Sequence, residues 1–279
     1  MRSPGQRRAL LLSASETAEA VAAIKHCGQA SLYREILQRT RQYEALGQAL
    51  MPDGFRLAFE GGGTQIWVRT LPGSKSWYEY KLVCDLGDAG LPHCLAYSHE
   101  LDLRDRYEPR LLQKPEHLGP VHPLLCVTHT LMSVFAVRVE LVLEVFRWFN
   151  HEYGFYGESV RSHKPARVKG AKPDKERRNC RPVVDSQSLW IPKGNGQQGT
   201  VVVTLMRLRA EGRLGKWILS TFIKRVATAH AADIRAHVQH AQDPNGPYVE
   251  RLRADKTGFY EELGKVEEAA ARRTAPPLS

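Results

Sequence analysis

The most regular stretch of the chain is Val137-Arg138-Val139-Glu140-Leu141-Val142-Leu143-Glu144-Val145, where every odd position is apolar and three of the four even ones are charged. A period of two is the signature of a β-strand with one dry face. A turn over residues 150–154 and a further strand through Val160 predict a hairpin, and the apolar run 123–132 predicts another strand before it. The same alternation returns elsewhere. Residues 55–71 read as two strands around Gly61-Gly62-Gly63, and 77–84 as a third after Pro72-Gly73-Ser74. Residues 183–191 and 200–208 read as a hairpin joined by Pro192-Lys193-Gly194-Asn195-Gly196. The glycine triplet is a turn, because no Lys-Ser/Thr and no helix start follows it as a phosphate loop would require.

Helical spacing marks the rest. Leu32, Ile36, Leu37, Tyr43 and Leu46 recur among Arg, Glu and Gln, so 14–50 is predicted to be helical, in two pieces, until Met51-Pro52-Asp53-Gly54 stops it. A short helix opened by proline is predicted over 92–101. A long one is predicted over 214–240, with Leu219, Phe222, Ile223 and Val226 on one side and Lys216, Lys224 and Arg235 on the other. His230, Asp233 and His237 continue its apolar side. Asp243-Pro244-Asn245-Gly246-Pro247 ends this helix, and 248–272 reads as a separate charged helix with a frayed tail. Residues 102–109 are too charged for a core and read as a rim loop.

This order predicts an α+β architecture: a curved antiparallel sheet whose dry face must be covered by the long C-terminal helix. Val137, Val139, Leu141, Leu143 and Val145 face the concave side. Arg207 and Arg209 share the odd face of the last strand, which turns Val202, Thr204 and Met206 inward. Incomplete contact between helix and sheet would leave an apolar cavity lined by these residues and by Leu219, Phe222, Ile223 and Val226. A lipid tail entering such a space gains about 0.8 kcal/mol per methylene. His230, Asp233 and His237 are the candidates for orienting a head group.

Composition narrows the setting. The chain has 279 residues, 42% of them hydrophobic and 25% charged, enough apolar material for one core domain with flanking helices. Its formal charge is +10, which attracts anionic partners. Eight of the cations, Lys164, Arg167, Lys169, Lys172, Lys175, Arg177, Arg178 and Arg181, crowd one loop that carries hardly any apolar residue. Near an anionic membrane each adds about 1 kcal/mol of attraction. The same loop, with Tyr153, Phe155 and Tyr156 nearby, keeps nucleic-acid binding open as an alternative, although no RRM, KH or zinc-finger signature accompanies it. Cys27, Cys84, Cys94, Cys126 and Cys180 stand singly, which fits a reducing interior. The apolar run near Met1 is shorter than a signal peptide requires, and no segment has the length of a membrane span. A cytoplasmic monomer with transient membrane association is expected. No nucleophile elbow, HExxH helix or paired-carboxylate signature is present, and His93, His99, His122 and His129 match no metal spacing. No enzyme activity, metal or cofactor is expected.

Several stretches resemble the START family, the steroidogenic-acute-regulatory-protein-related lipid-transfer domain, in order and spacing. They are Trp77-Tyr78-Glu79-Tyr80-Lys81-Leu82-Val83-Cys84-Asp85, then Leu91-Pro92-His93-Cys94-Leu95-Ala96, then His99-Glu100-Leu101-Asp102-Leu103. Later come Gly199-Thr200-Val201-Val202-Val203-Thr204-Leu205-Met206-Arg207-Leu208 and Gly212-Arg213-Leu214-Gly215-Lys216-Trp217-Ile218. The resemblance departs from the family at Tyr107, where a tryptophan is common, and around 133–136, which lacks a Pro-Trp-Pro turn. It implies a helix-grip fold over 31–241, flanked by an N-terminal helical extension, 1–30, and a C-terminal helical tail, 242–279. It also implies a lipid ligand of sterol, phospholipid or sphingolipid class. Helix-grip folds of polyketide-cyclase type, in which cavity His and Asp groups move protons, supply the enzymatic alternative.

Overall fold

A computed structural model describes residues 55–70, 77–118, 124–134, 137–151, 154–162, 183–194, 197–209 and 212–272; the side chains of Thr70, Trp77, Asp105, Val134, Val137, residues 212–223 and Val226 are outside that description. The helices expected over 14–50, the extension 1–30 and the basic loop therefore lie outside the described residues.

The described strands are β1 Arg56–Gly61, β2 Thr64–Thr70, β3 Trp77–Asp85, β4 Glu116–His117, β5 Leu125–Val134, β6 Val137–Asn150, β7 Phe155–Ser162, β8 Val183–Pro192 and β9 Thr200–Arg209. They form one antiparallel sheet in the order β1-β2-β3-β9-β8-β7-β6-β5-β4. Helix α1, Leu91–His99, follows β3 and opens with a proline in its first turn. A 3-10 turn covers Leu101–Arg106. After β9 come α2 Gly212–Gln242, α3 Pro247–Ala254 and α4 Phe259–Ala271. The β1–β2 connection places Gly62 and Gly63 at φ 54° and 70°, the two left-handed positions that a tight twisted hairpin demands and glycine adopts without strain.

Strand register explains where the cores sit. Val145, Val160, Ser186, Met206, Tyr80 and Val68 are successive cross-strand partners from β6 to β2. A side chain and its direct partner share a face, so odd positions of β6 and even positions of β3, β7, β8 and β9 all point to the concave side. The main core lies there, built on Ile66, Leu82, Val202 and Tyr156 with Leu91, Leu95, Ala227 and Val238 from α1 and α2. A second apolar cluster, with Phe146, Trp148 and Leu189, occupies the convex face.

Two helices share the concave face. Helix α2 packs on β1, β2, β3 and β9, whereas α4 packs on β6, β7 and β8. The stretch read as one charged helix is thus two, broken where Asp255 and Gly258 take left-handed φ values of 28° and 71°. It is not peripheral either: Phe259, Leu263, Val266 and Ala270 are each at most 1% exposed. The charged residues occupy the other side of α4. The region 102–109 also differs from the expected rim loop, because Leu101, Leu103 and Glu108 are each only 5% exposed. The short 3-10 turn lets alternate leucines reach the core while Asp102 and Arg106 stay exposed. No described helix is long and apolar enough to cross a membrane.

Candidate functional site

The concave face loosens from one end to the other. Toward the end of β6 and the start of β9 packing is dense: Val202 and Leu82 are 0% exposed and Thr204 is 1% exposed, its Oγ1 lying 2.9 Å from Ser188 Oγ. Toward the start of β6, Val139, Leu141 and Leu143 are only half-buried, as is Met206 on β9. Val145, 8% exposed, sits between the two regimes. Val202 and Thr204 were expected to line open space and instead belong to the packed interior. Their partners Cys84, Leu82, Trp190 and Ser188 fill the volume on either side. Val137, Leu219, Phe222, Ile223 and Val226 lie on β6 and α2, with side chains outside the description.

A polar network borders the looser region. His230, Asp233 and His237 occupy one face of α2, as spacing of three and four residues requires, and all three point into the protein. Tyr80 on β3 places its hydroxyl 2.9 Å from His230 Nδ1 and 2.9 Å from Met206 Sδ. With the imidazole proton assigned to Nδ1, His230 donates to Tyr80 and Tyr80 donates to the thioether, so both contacts are satisfied and Nε2 keeps a lone pair. One turn on, Arg110 Nη2 donates to Asp233 Oδ2 at 2.6 Å. The same guanidinium donates to both oxygens of Glu108, from Nε at 2.7 Å and Nη2 at 2.9 Å. His237 stacks on Tyr97 with ring centroids 3.3 Å apart, and its Nε2 is 3.8 Å from Glu108 Oε2. Arg104 lies over the Tyr97 ring at 4.2 Å.

These surroundings set the charges. Burial, then the nearby Arg110 charge, lowers His230 to about 4. Burial, then Arg104, lowers His237 to about 3. Both imidazoles are neutral at neutral pH. The two carboxylates sharing Arg110 shift in opposite directions. Burial raises Asp233 despite its single bond to the guanidinium. Burial would raise Glu108 as well, but the two-pronged contact with Arg110 outweighs it and holds that carboxyl below its usual range.

Sequence spacing located the three α2 residues but missed Tyr80, Tyr97, Glu108 and Arg110. Alternation along β3 was a usable signal for Tyr80, since Leu82 and Cys84 share its face. Nothing local announces Glu108, whose burial depends on α2 arriving from far along the chain. The eight basic positions from Lys164 to Arg181 are outside the described residues. A pocket of about 320 Å³ opens elsewhere, where the end of α1 meets β4 and the α3–α4 turn, bordered by His99, His117, Arg251 and Tyr260.

No family profile matches the sequence, and no curated protein matches it. Solved structures do match in fold. Human StAR-related lipid transfer protein 5 superposes with a TM-score of 0.59 at 16% identity, over 74% of this chain and 96% of that one. Human STARD10 gives 0.55 at 13% identity, over 72% and 82%. A STAR-related lipid transfer protein from Xanthomonas axonopodis gives 0.53 at 15% identity, over 67% and 99%. Nine antiparallel strands in this order, gripped by a long C-terminal helix, make the chain a START-like helix-grip protein in fold.

Proposed function

We propose that the protein binds one hydrophobic ligand between the early part of β6 and the first turns of α2, with the ligand's polar end at Tyr80, His230 and Arg110. The carrying observation is the half-burial of Val139, Leu141, Leu143 and Met206 on a face whose other end is packed solid. Apolar side chains left partly uncovered on the concave face favour an apolar occupant; burying ten methylenes there contributes roughly 8 kcal/mol before ordering costs. Lipid-transfer proteins of the same fold support the reading.

The polar end favours an uncharged group. Arg110 already faces two carboxylates, so an anionic head group would add a third negative charge around one cation, whereas a hydroxyl can donate to the His230 Nε2 lone pair and accept from the guanidinium without that repulsion. Carriage rather than turnover is proposed, with the basic loop 164–181 docking weakly on anionic membranes while the ligand exchanges.

Native mass spectrometry of the purified full chain, with extraction and identification of what co-purifies, is the test. One unmodified lipid per chain is expected, with hydroxyl or ester lipids preferred over phosphatidic acid when vesicles of each are offered. Leu141→Asp places a charge on the apolar wall and abolishes loading. A chain that stays empty after incubation with every vesicle type would overturn the proposal.

A further inference from the structure

The pocket at the end of α1 is separate from the proposed lipid chamber, since no residue of β6, β9 or α2 lines it. Its walls come from the last residue of α1, the start of the 3-10 turn, β4 with Pro115 just before it, and the α3–α4 turn. Its volume of about 320 Å³ lies near the lower end for a small-molecule site. That is room for roughly ten groups the size of a water molecule, at about 30 Å³ each. One or two rings fit; a whole membrane lipid does not.

Flat groups lead up to this pocket from the core. Tyr156 meets Phe259 edge-on, with centroids 6.0 Å apart at 89°, and Phe259 stacks on His99 at 4.0 Å and 6°. Tyr260 stands edge-on to His99 at 5.5 Å and 80°. His99 and Tyr260 are wall residues, and Leu101, Pro115 and Ala254 add aliphatic surface beside them. An aromatic occupant therefore extends an existing array of rings, at the centroid spacings of about 4.5–7 Å that such rings prefer.

The charges of the wall cancel. Arg251 Nη2 donates to Asp102 Oδ2 at 2.5 Å, and Nη1 lies 3.9 Å from Glu100, which accepts from the Tyr260 hydroxyl at 3.0 Å. Exposed Lys256 balances the second carboxylate. Burial, then the Arg147 charge, lowers His99 to about 4 and lowers His117 as well, so both imidazoles are neutral at neutral pH. Imidazole nitrogen is the polar function left over. His99 Nε2 is 3.2 Å from Thr257 Oγ1, whereas the His117 ring makes no side-chain hydrogen bond among the described residues. A neutral imidazole keeps one lone pair, and a ligand hydroxyl can donate to it.

We propose that this pocket is a second ligand site, taking one small uncharged phenol-type molecule whose ring lies beside His99 and Tyr260 and whose hydroxyl donates to His117. The chain then holds two ligands of different size in separate places.

Titration of the full chain with 2-naphthol, followed by the probe's own fluorescence, tests this. Saturable one-to-one binding below about 1 mM is expected. The anion 2-naphthoate should bind about tenfold more weakly, because its buried carboxylate meets no surplus positive charge. Ala254→Trp, at an exposed helix end, fills the pocket and should abolish the signal. His117→Phe keeps a ring but no acceptor and should weaken binding by about tenfold, the worth of one net hydrogen bond. Histidine side-chain NMR of the unaltered protein locates the probe: the His99 and His117 signals should shift while that of His230 stays in place. Absence of saturation, equal binding of 2-naphthoate, a titration that survives Ala254→Trp, or shifts at His230 without shifts at His117 would overturn the proposal.

Discussion

Arg110 is the residue on which the polar end of the proposed site depends, because it joins Glu108, in the turn after the 3-10 segment, to Asp233 on α2. Removing it leaves Glu108, 5% exposed, without a cation. Arg110→Gln should therefore destabilise the fold by about 2 kcal/mol in urea titration, below the value for a fully buried pair because Arg110 is itself one third exposed. An unchanged midpoint would show that water already satisfies Glu108. The histidines give a second handle. His230 and His237 are held at about 4 and about 3 in the folded protein, below the ordinary 6.5. The unfolded chain therefore takes up protons first as pH falls, and stability present above about 6.5 is lost progressively down to about 4 for His230 and about 3 for His237. His230→Gln should remove about one proton from that dependence, read as a shallower slope of unfolding free energy against pH. At this scale the sequence was informative where chemistry is periodic. Spacing along one helix put His230, Asp233 and His237 together, but their partners Tyr80 and Arg110 come from elements far away in the chain, and no local pattern pairs them.

Elements were legible in proportion to how strictly they alternate or repeat. The β6 stripe, the glycine turn before β2 and the long α2 follow from periods of two and 3.6 and from backbone freedom at Gly62 and Gly63. The last two helices were misjudged. Two of the six buried residues of α4 are alanine, Ala269 and Ala270, and the intervening Glu and Lys residues dominate its appearance, so a core helix resembled a solvated tail. The signal was present in Phe259, Leu263 and Val266, spaced by four and three. Leu263→Ala, at a position 0% exposed, should cost about 3 kcal/mol in chemical denaturation. Truncation after residue 246 should leave a chain that fails to unfold cooperatively, because α4 covers the concave face of β6, β7 and β8. A stable, cooperative truncation would restore the region to the status of a tail.

For the whole molecule the proposed membrane step raises the question of what would draw the chain to a lipid surface. Apolar clusters are buried on both faces of the sheet, and no described helix is long and apolar enough to cross a membrane. In the proposed docking step attraction comes from charge: residues 164–181 carry eight Lys or Arg against two acidic residues, a net +6 of the chain's +10. At an anionic surface each cation there is worth about 1 kcal/mol, and salt screens it over roughly 8 Å at physiological strength. Replacing Lys169, Lys172, Lys175 and Arg177 by Gln should thus slow ligand transfer between anionic vesicles by roughly tenfold or more and flatten its salt dependence. Affinity for a ligand delivered in solution should be untouched, since the proposed chamber is built from β6, β9 and α2. Fluorescence-based transfer and solution titration, run on the same variant, separate the two quantities. Equal losses in both would mean that the loop acts on the chamber itself, and that docking and binding are not divided between different parts of the molecule.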